Sequence, residues 1–132
     1  AFVIILSGCT DDGNADSKQI NLYFKNTSNG PVQVDLYAEG DLRTSEIIPS
    51  DQSGNVYTFY TRNSFNNFGF ITDSLVIKYP NDNGYICSPS TDLCISSKPS
   101  PINSAEADFI KEEDRYYYIL SQQDYADALN ID

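Results

Sequence analysis

Apolar and polar positions alternate through most of the chain. In residues 20–25, Ile20, Leu22 and Phe24 fall on one side, and in residues 32–37 Val32, Val34 and Leu36 do the same. That period of two predicts half-buried strands. Between them, Asn26-Thr27-Ser28-Asn29-Gly30-Pro31 joins an Asn-Gly step to a proline, turn chemistry that predicts a hairpin of the two strands. Residues 40–54 are rich in turn formers, and only Glu46-Ile47-Ile48, just before Pro49, reads as a short strand. Clear strands follow at 56–61 and 74–79, the second stopped by Pro80-Asn81-Asp82-Asn83-Gly84. Tyr85-Ile86-Cys87 is a candidate return partner, and 115–120 is the last strand.

About seven short strands separated by polar turns predict an all-β antiparallel β-sandwich of immunoglobulin or transthyretin style. The Trp and Cys spacing of antibody domains is absent. Ser121-Gln122-Gln123-Asp124 has the form of a capping box. It predicts a short C-terminal helix through Leu129, with Tyr125, Ala128 and Leu129 on one face closing an end of the sandwich.

Composition narrows the chemistry. The chain has 132 residues, 40% of them hydrophobic, with ten Tyr and seven Phe. That suffices for one domain with a sizeable core. Nineteen Asp and Glu against eight Lys and Arg leave a net charge of −11, and the cations are scattered singly. Nucleic-acid binding rests on clustered Lys and Arg, so no nucleic-acid partner is expected. No His is present, which removes Ser-His-Asp triads, Cys-His dyads and His-bearing zinc sites.

The front of the chain carries the most specific motif. Phe2-Val3-Ile4-Ile5-Leu6 is an apolar core far short of the roughly 20 residues a membrane span needs, and it runs into Ser7-Gly8-Cys9. Met is absent, so the numbering is expected to start inside a longer reading frame. Leu6-Ser7-Gly8-Cys9 resembles a bacterial lipobox, at which a lipoprotein signal peptide is cut before a lipidated Cys. The resemblance implies cleavage after Gly8, a diacylglycerol on Cys9, and a protein held at the membrane by its lipid chains. Thr10-Asp11-Asp12 resembles the acidic export signal of Bacteroidota lipoproteins, with Asp11 and Asp12 directing the chain to the outer face of the outer membrane. The expected division is 1–8 for the end of the signal peptide, 9–18 for the lipidated Cys and acidic tether, and 19–132 for the sandwich and its helix. With Cys9 lipidated and the chain exported, Cys87 and Cys94 are expected to pair in one disulfide. The segment Asp73-Ser74-Leu75-Val76-Ile77-Lys78-Tyr79, then Pro99-Ser100-Pro101-Ile102-Asn103, then the Tyr-rich strand and residues 121–129 resemble small uncharacterised surface lipoproteins of Bacteroidota. That likeness implies lineage and carries no catalytic residue.

Other candidates divide into a few groups. Asp12, Asn14 and Asp16 have calcium-loop spacing, but Ser17 stands where the loop wants Gly and Tyr23 where it wants Glu, so a solvated tether is expected and no metal. Asp73-Ser74-Leu75 resembles the O-glycosylation tripeptide of these bacteria, with Ser74 the acceptor. Tyr57, Phe59 and Tyr60, followed by Phe65, Phe68 and Phe70 and with Asn63, Asn66 and Asn67 near them, form the densest aromatic stretch. They read either as core or as a ligand surface on which sugar rings stack. Glu112, Glu113 and Asp114 form an acid run in which neighbours on a turn point into water rather than into a cleft. The expectation is a non-enzymatic binding or accessory module with no cofactor. Its partners would be the membrane, through the anchor, and an outer-membrane complex or a glycan.

Overall fold

In the computed structural model, residues 17–62, 65–88, 94–95 and 98–131 are described. Nine strands and one α-helix occur in this part, besides two short 3-10 helices at Phe68–Phe70 and Glu106–Asp108: β1 (Ser17–Asn26), β2 (Val32–Ala38), β3 (Asp41–Ile48), β4 (Tyr57–Arg62), β5 (Ser74–Lys78), β6 (Asn83–Cys87), β7 (Ile110–Glu112), β8 (Arg115–Leu120), α1 (Gln122–Asp127) and β9 (Leu129–Asn130). They form two sheets. One has five strands in the order β9-β6-β5-β2-β3, the other four in the order β4-β1-β8-β7. All pairings are antiparallel except β1 with β8, which is parallel. The chain is an all-β sandwich.

The alternation places the core. Ile20, Leu22 and Phe24 of β1, Val34 of β2, Leu75 and Ile77 of β5 and Leu120 of β8 are all 0% exposed. Removing each such side chain from water stabilises the fold by about 1.5–3 kcal/mol. Aromatic rings fill the space between the sheets: Phe24 stacks on Phe68 at 4.4 Å and meets Tyr118 edge-on at 6.1 Å. Gly84 is obligatory in β6, because a Cβ there would sit 1.9 Å from the Ile77 carbonyl oxygen.

Three local expectations are corrected. The strands over 20–25 and 32–37 do not form a hairpin. They lie in opposite sheets, and the five residues between β1 and β2 cross the gap. The cause is buried Asn26, 0% exposed. Its Nδ2 donates to the carbonyls of Gly30 (2.8 Å) and Ile48 (2.9 Å), and its Oδ1 accepts from the Ser28 backbone N–H (2.9 Å) and hydroxyl (2.6 Å). These bonds wind the segment into an arch rather than a tight turn.

The stretch over 40–54 is not mainly turn, since β3 occupies Asp41–Ile48. Ala38 pairs with Asp41 across Glu39 and Gly40, whose φ values are 54° and 83°. Positive φ at both central residues is the turn geometry that suits a two-residue hairpin, reached here by Glu-Gly instead of Asn-Gly.

The helix begins as expected: the Ser121 hydroxyl accepts from Asp124 N (3.2 Å) and the Asp124 carboxylate from Ser121 N (2.8 Å). It stops at Asp127, however, and Leu129 is not on its face. Leu129 pairs with Gly84 in β9 and is 73% exposed.

Cys87 and Cys94 form a disulfide with Cα atoms 5.3 Å apart. Cys87 ends β6 and is buried.

Candidate functional site

Leu6, Ser7, Gly8, Cys9, Asp11 and Asp12 lie outside the described residues, as do Asn63 and the calcium-like spacing at 12–16. The aromatic stretch is described in part, and most of its rings are taken up in packing. Phe68 is 0% exposed within the core, and Phe65 packs against Phe109 (5.2 Å) and Tyr116 (4.9 Å). Tyr57 is half-buried, and its hydroxyl donates to Glu46 Oε2 at 2.6 Å. Burial, then that bond, pushes the Tyr57 hydroxyl far above its ordinary pKa. Tyr60, 63% exposed, is offered to solvent, as is Phe70 at 54%, which stacks on Phe59. Period two explains the split: Tyr57 and Phe59 face inward on β4 while Tyr60 faces out.

Ser74 opens β5 half-buried, its hydroxyl 3.3 Å from Asp73 Oδ1. The other two members of its tripeptide are engaged by the fold. Asp73 Oδ2 accepts from Glu39 N at 2.7 Å, and Leu75 is fully buried. The acids at 112–114 lie at the β7–β8 hairpin, exposed, with Glu113 at φ 60°. They line no cleft.

Three buried carboxylates are committed to structure: Asp35, which accepts from the Ser45 hydroxyl and Gln33 Nε2, Glu46 and Asp124. Glu46, on edge strand β3, accepts from Asn55 N (2.7 Å) as well as from Tyr57, which ties β3 to β4 across one open side of the sandwich. An inward-pointing acid on an edge strand also discourages pairing with another chain. Asp124 accepts from Lys98 Nζ at 2.7 Å, and the same ammonium donates to the Ile119 carbonyl and lies 5.0 Å from the Tyr118 ring centroid. Breaking such a pair would strand a buried charge. Among the described residues, no group of three His, Cys, Asp or Glu side chains is placed to hold a metal.

A groove lies on the outer face of the five-stranded sheet. It encloses about 260 Å³ and is lined by Pro31, Val32, Gln33, Ile47, Lys78, Tyr79, Pro80 and Asp82. Strand register builds it: Gln33 of β2 stands opposite Ile47 of β3 on one side and Lys78 of β5 on the other. Three outward side chains therefore form a row, with Pro31 and Pro80 just beyond the strand ends and Asp82 in the following turn at φ 66°. Ile47 is 67% exposed, a large apolar group left in water. Gln33 Nε2 donates to both oxygens of Asp35 (3.1 and 3.2 Å), so its Oε1 remains as an acceptor. Lys78 and Asp82 make no ion pair among the described residues.

The chain pattern did not single out this site. It arises from cross-strand register, and its one sequence signal is Ile47, apolar at an outward position.

No family model, curated protein or solved structure matches the chain.

Proposed function

We propose that the chain is an exported lipoprotein, held at the outer membrane through Cys9 and displaying a sandwich that binds a partner rather than transforming a substrate. The observation that carries this reading is the Cys87–Cys94 disulfide. It accounts for two of the three cysteines, leaves Cys9 as the single remaining sulfur, and suits an oxidising compartment outside the cytoplasm. The lipobox-like Leu6-Ser7-Gly8-Cys9 and the acids after it supply the anchor and the address.

The geometry suits display. β1 runs from Ser17, next to the tether, to Asn26, which bonds to Gly30 and Ile48 at the opposite end. β2 starts at that same far end, so the groove lined by Pro31, Gln33, Ile47 and Lys78 lies at the opposite end of β1 from Ser17. Ten strand residues at about 3.3 Å each place it on the order of 30 Å from where the tether joins. The binding reading favours the groove over the aromatic stretch, whose Phe65 and Phe68 are occupied in packing. Palmitate labelling of cells expressing the chain, with protease shaving of intact cells, tests the proposal. Labelled, protease-accessible protein is the expected result; unlabelled protein shielded from protease would contradict it.

A further inference from the structure

We propose that the groove takes the carboxy-terminal residue of a partner polypeptide, its carboxylate on Lys78 and its aliphatic side chain against Ile47, Pro31 and Pro80. The inference rests on the reading of the chain as a binding module and names what that module holds.

Size sets the first limit. A groove of about 260 Å³ lies below the roughly 300–1,000 Å³ of sites that enclose a drug-sized ligand, so it holds one residue. The row Ile47–Gln33–Lys78 crosses three neighbouring strands, about 10 Å from end to end at about 4.8 Å per strand. A carboxylate and an aliphatic side chain on the same Cα span that row, one at each end.

Charge sets the second limit. Lys78 is an ammonium with no ion-pair partner among the described residues, so it calls for an anion. The molecule as a whole carries −11, and Asp82 stands at the same rim. A ligand with several negative charges is repelled, which disfavours phosphates and acidic stretches. A single carboxylate meets both conditions. The acceptors Gln33 Oε1 and Asp82 then suit the amide N–H of that last residue, a donor every terminus other than proline carries. Amide and carboxylate on one apolar residue together specify a chain end.

The test is fluorescence anisotropy on the full chain, with a labelled hexapeptide ending in Val-Ile and a free carboxylate as probe. Amidating that carboxylate is expected to weaken binding at least about tenfold, the equivalent of about 1.4 kcal/mol for one charge-assisted contact. Lys78→Gln and Ile47→Ser, both at outward positions, are expected to weaken it comparably while the thermal melt stays unchanged. Free isoleucine is expected to compete poorly. Equal binding of the amidated peptide, indifference to Lys78→Gln, competition by free isoleucine at the peptide's own concentration, or no binding at millimolar peptide would each overturn the proposal. Because membrane attachment is measured separately, failure here leaves the anchor standing.

Discussion

Asn26→Ala is expected to be among the most damaging single changes to this fold, although it deletes only a small polar side chain. Asn26 is 0% exposed and joins the arch between the sheets to the end of β3. Its removal takes the Nδ2 donor from the carbonyls of Gly30 and Ile48 and the Oδ1 acceptor from both polar groups of Ser28. Gly30 keeps the Ser28 hydroxyl at 3.0 Å, so the loss falls mainly on the Ser28 N–H and the Ile48 carbonyl. Each buried group left unsatisfied costs about 1–3 kcal/mol, which gives about 2–6 kcal/mol for the pair. Asn26→Asp is expected to be at least as harmful near neutral pH, since a buried carboxylate would face the carbonyl oxygens of Gly30, Ile48 and Pro49. Acidification should then restore part of its stability, because a protonated acid can donate again. Urea unfolding measures both variants, with the midpoint falling and the slope unchanged. A loss below about 1 kcal/mol for Asn26→Ala would refute the claim that this residue organises the crossing.

Two further outcomes follow from the interior. Reduction of the Cys87–Cys94 bond is expected to add two hydrogens to the intact mass and to lower stability by about 2–3 kcal/mol, as the chain-entropy treatment gives for so short a loop; free thiols in the native exported protein would contradict the pairing. Tyr57, Tyr79 and Tyr118 have hydroxyls raised well above the ordinary 10.0, by burial first and then by neighbouring acids. The folded state thus holds these protons more tightly than the unfolded chain. Stability is fully present below pH 10 and is lost as pH rises beyond it. Tyrosinate absorbance for these rings should therefore appear only together with unfolding, and complete titration near pH 10 with the fold intact would contradict it.

The strands and the fold class were legible because period two is a local signal: β1, β2, β5 and β8 bury the residues their alternation selects. The capping box was legible for the same reason, since Ser121 and Asp124 satisfy each other within one turn. What escaped depends on distant partners. The arch at 27–31 contains Asn-Gly and Pro, the marks of a hairpin, yet Asn26 reaches to Ile48, twenty-two positions away. The hairpin at Glu39-Gly40 escaped because Glu at positive φ is uncommon. Leu129 left the helix to pair with Gly84, a contact no helical periodicity encodes. The groove depends on the register that sets Ile47, Gln33 and Lys78 side by side, and its row of residues comes from three separate strands.

The central claim, attachment through Cys9, is tested most directly by fractionating cells that express Cys9→Ala beside the unaltered chain. The account predicts that the unaltered protein sediments with the outer membrane, while the variant loses its lipid and moves to the soluble fraction. Retention of Cys9→Ala in the membrane fraction would contradict it.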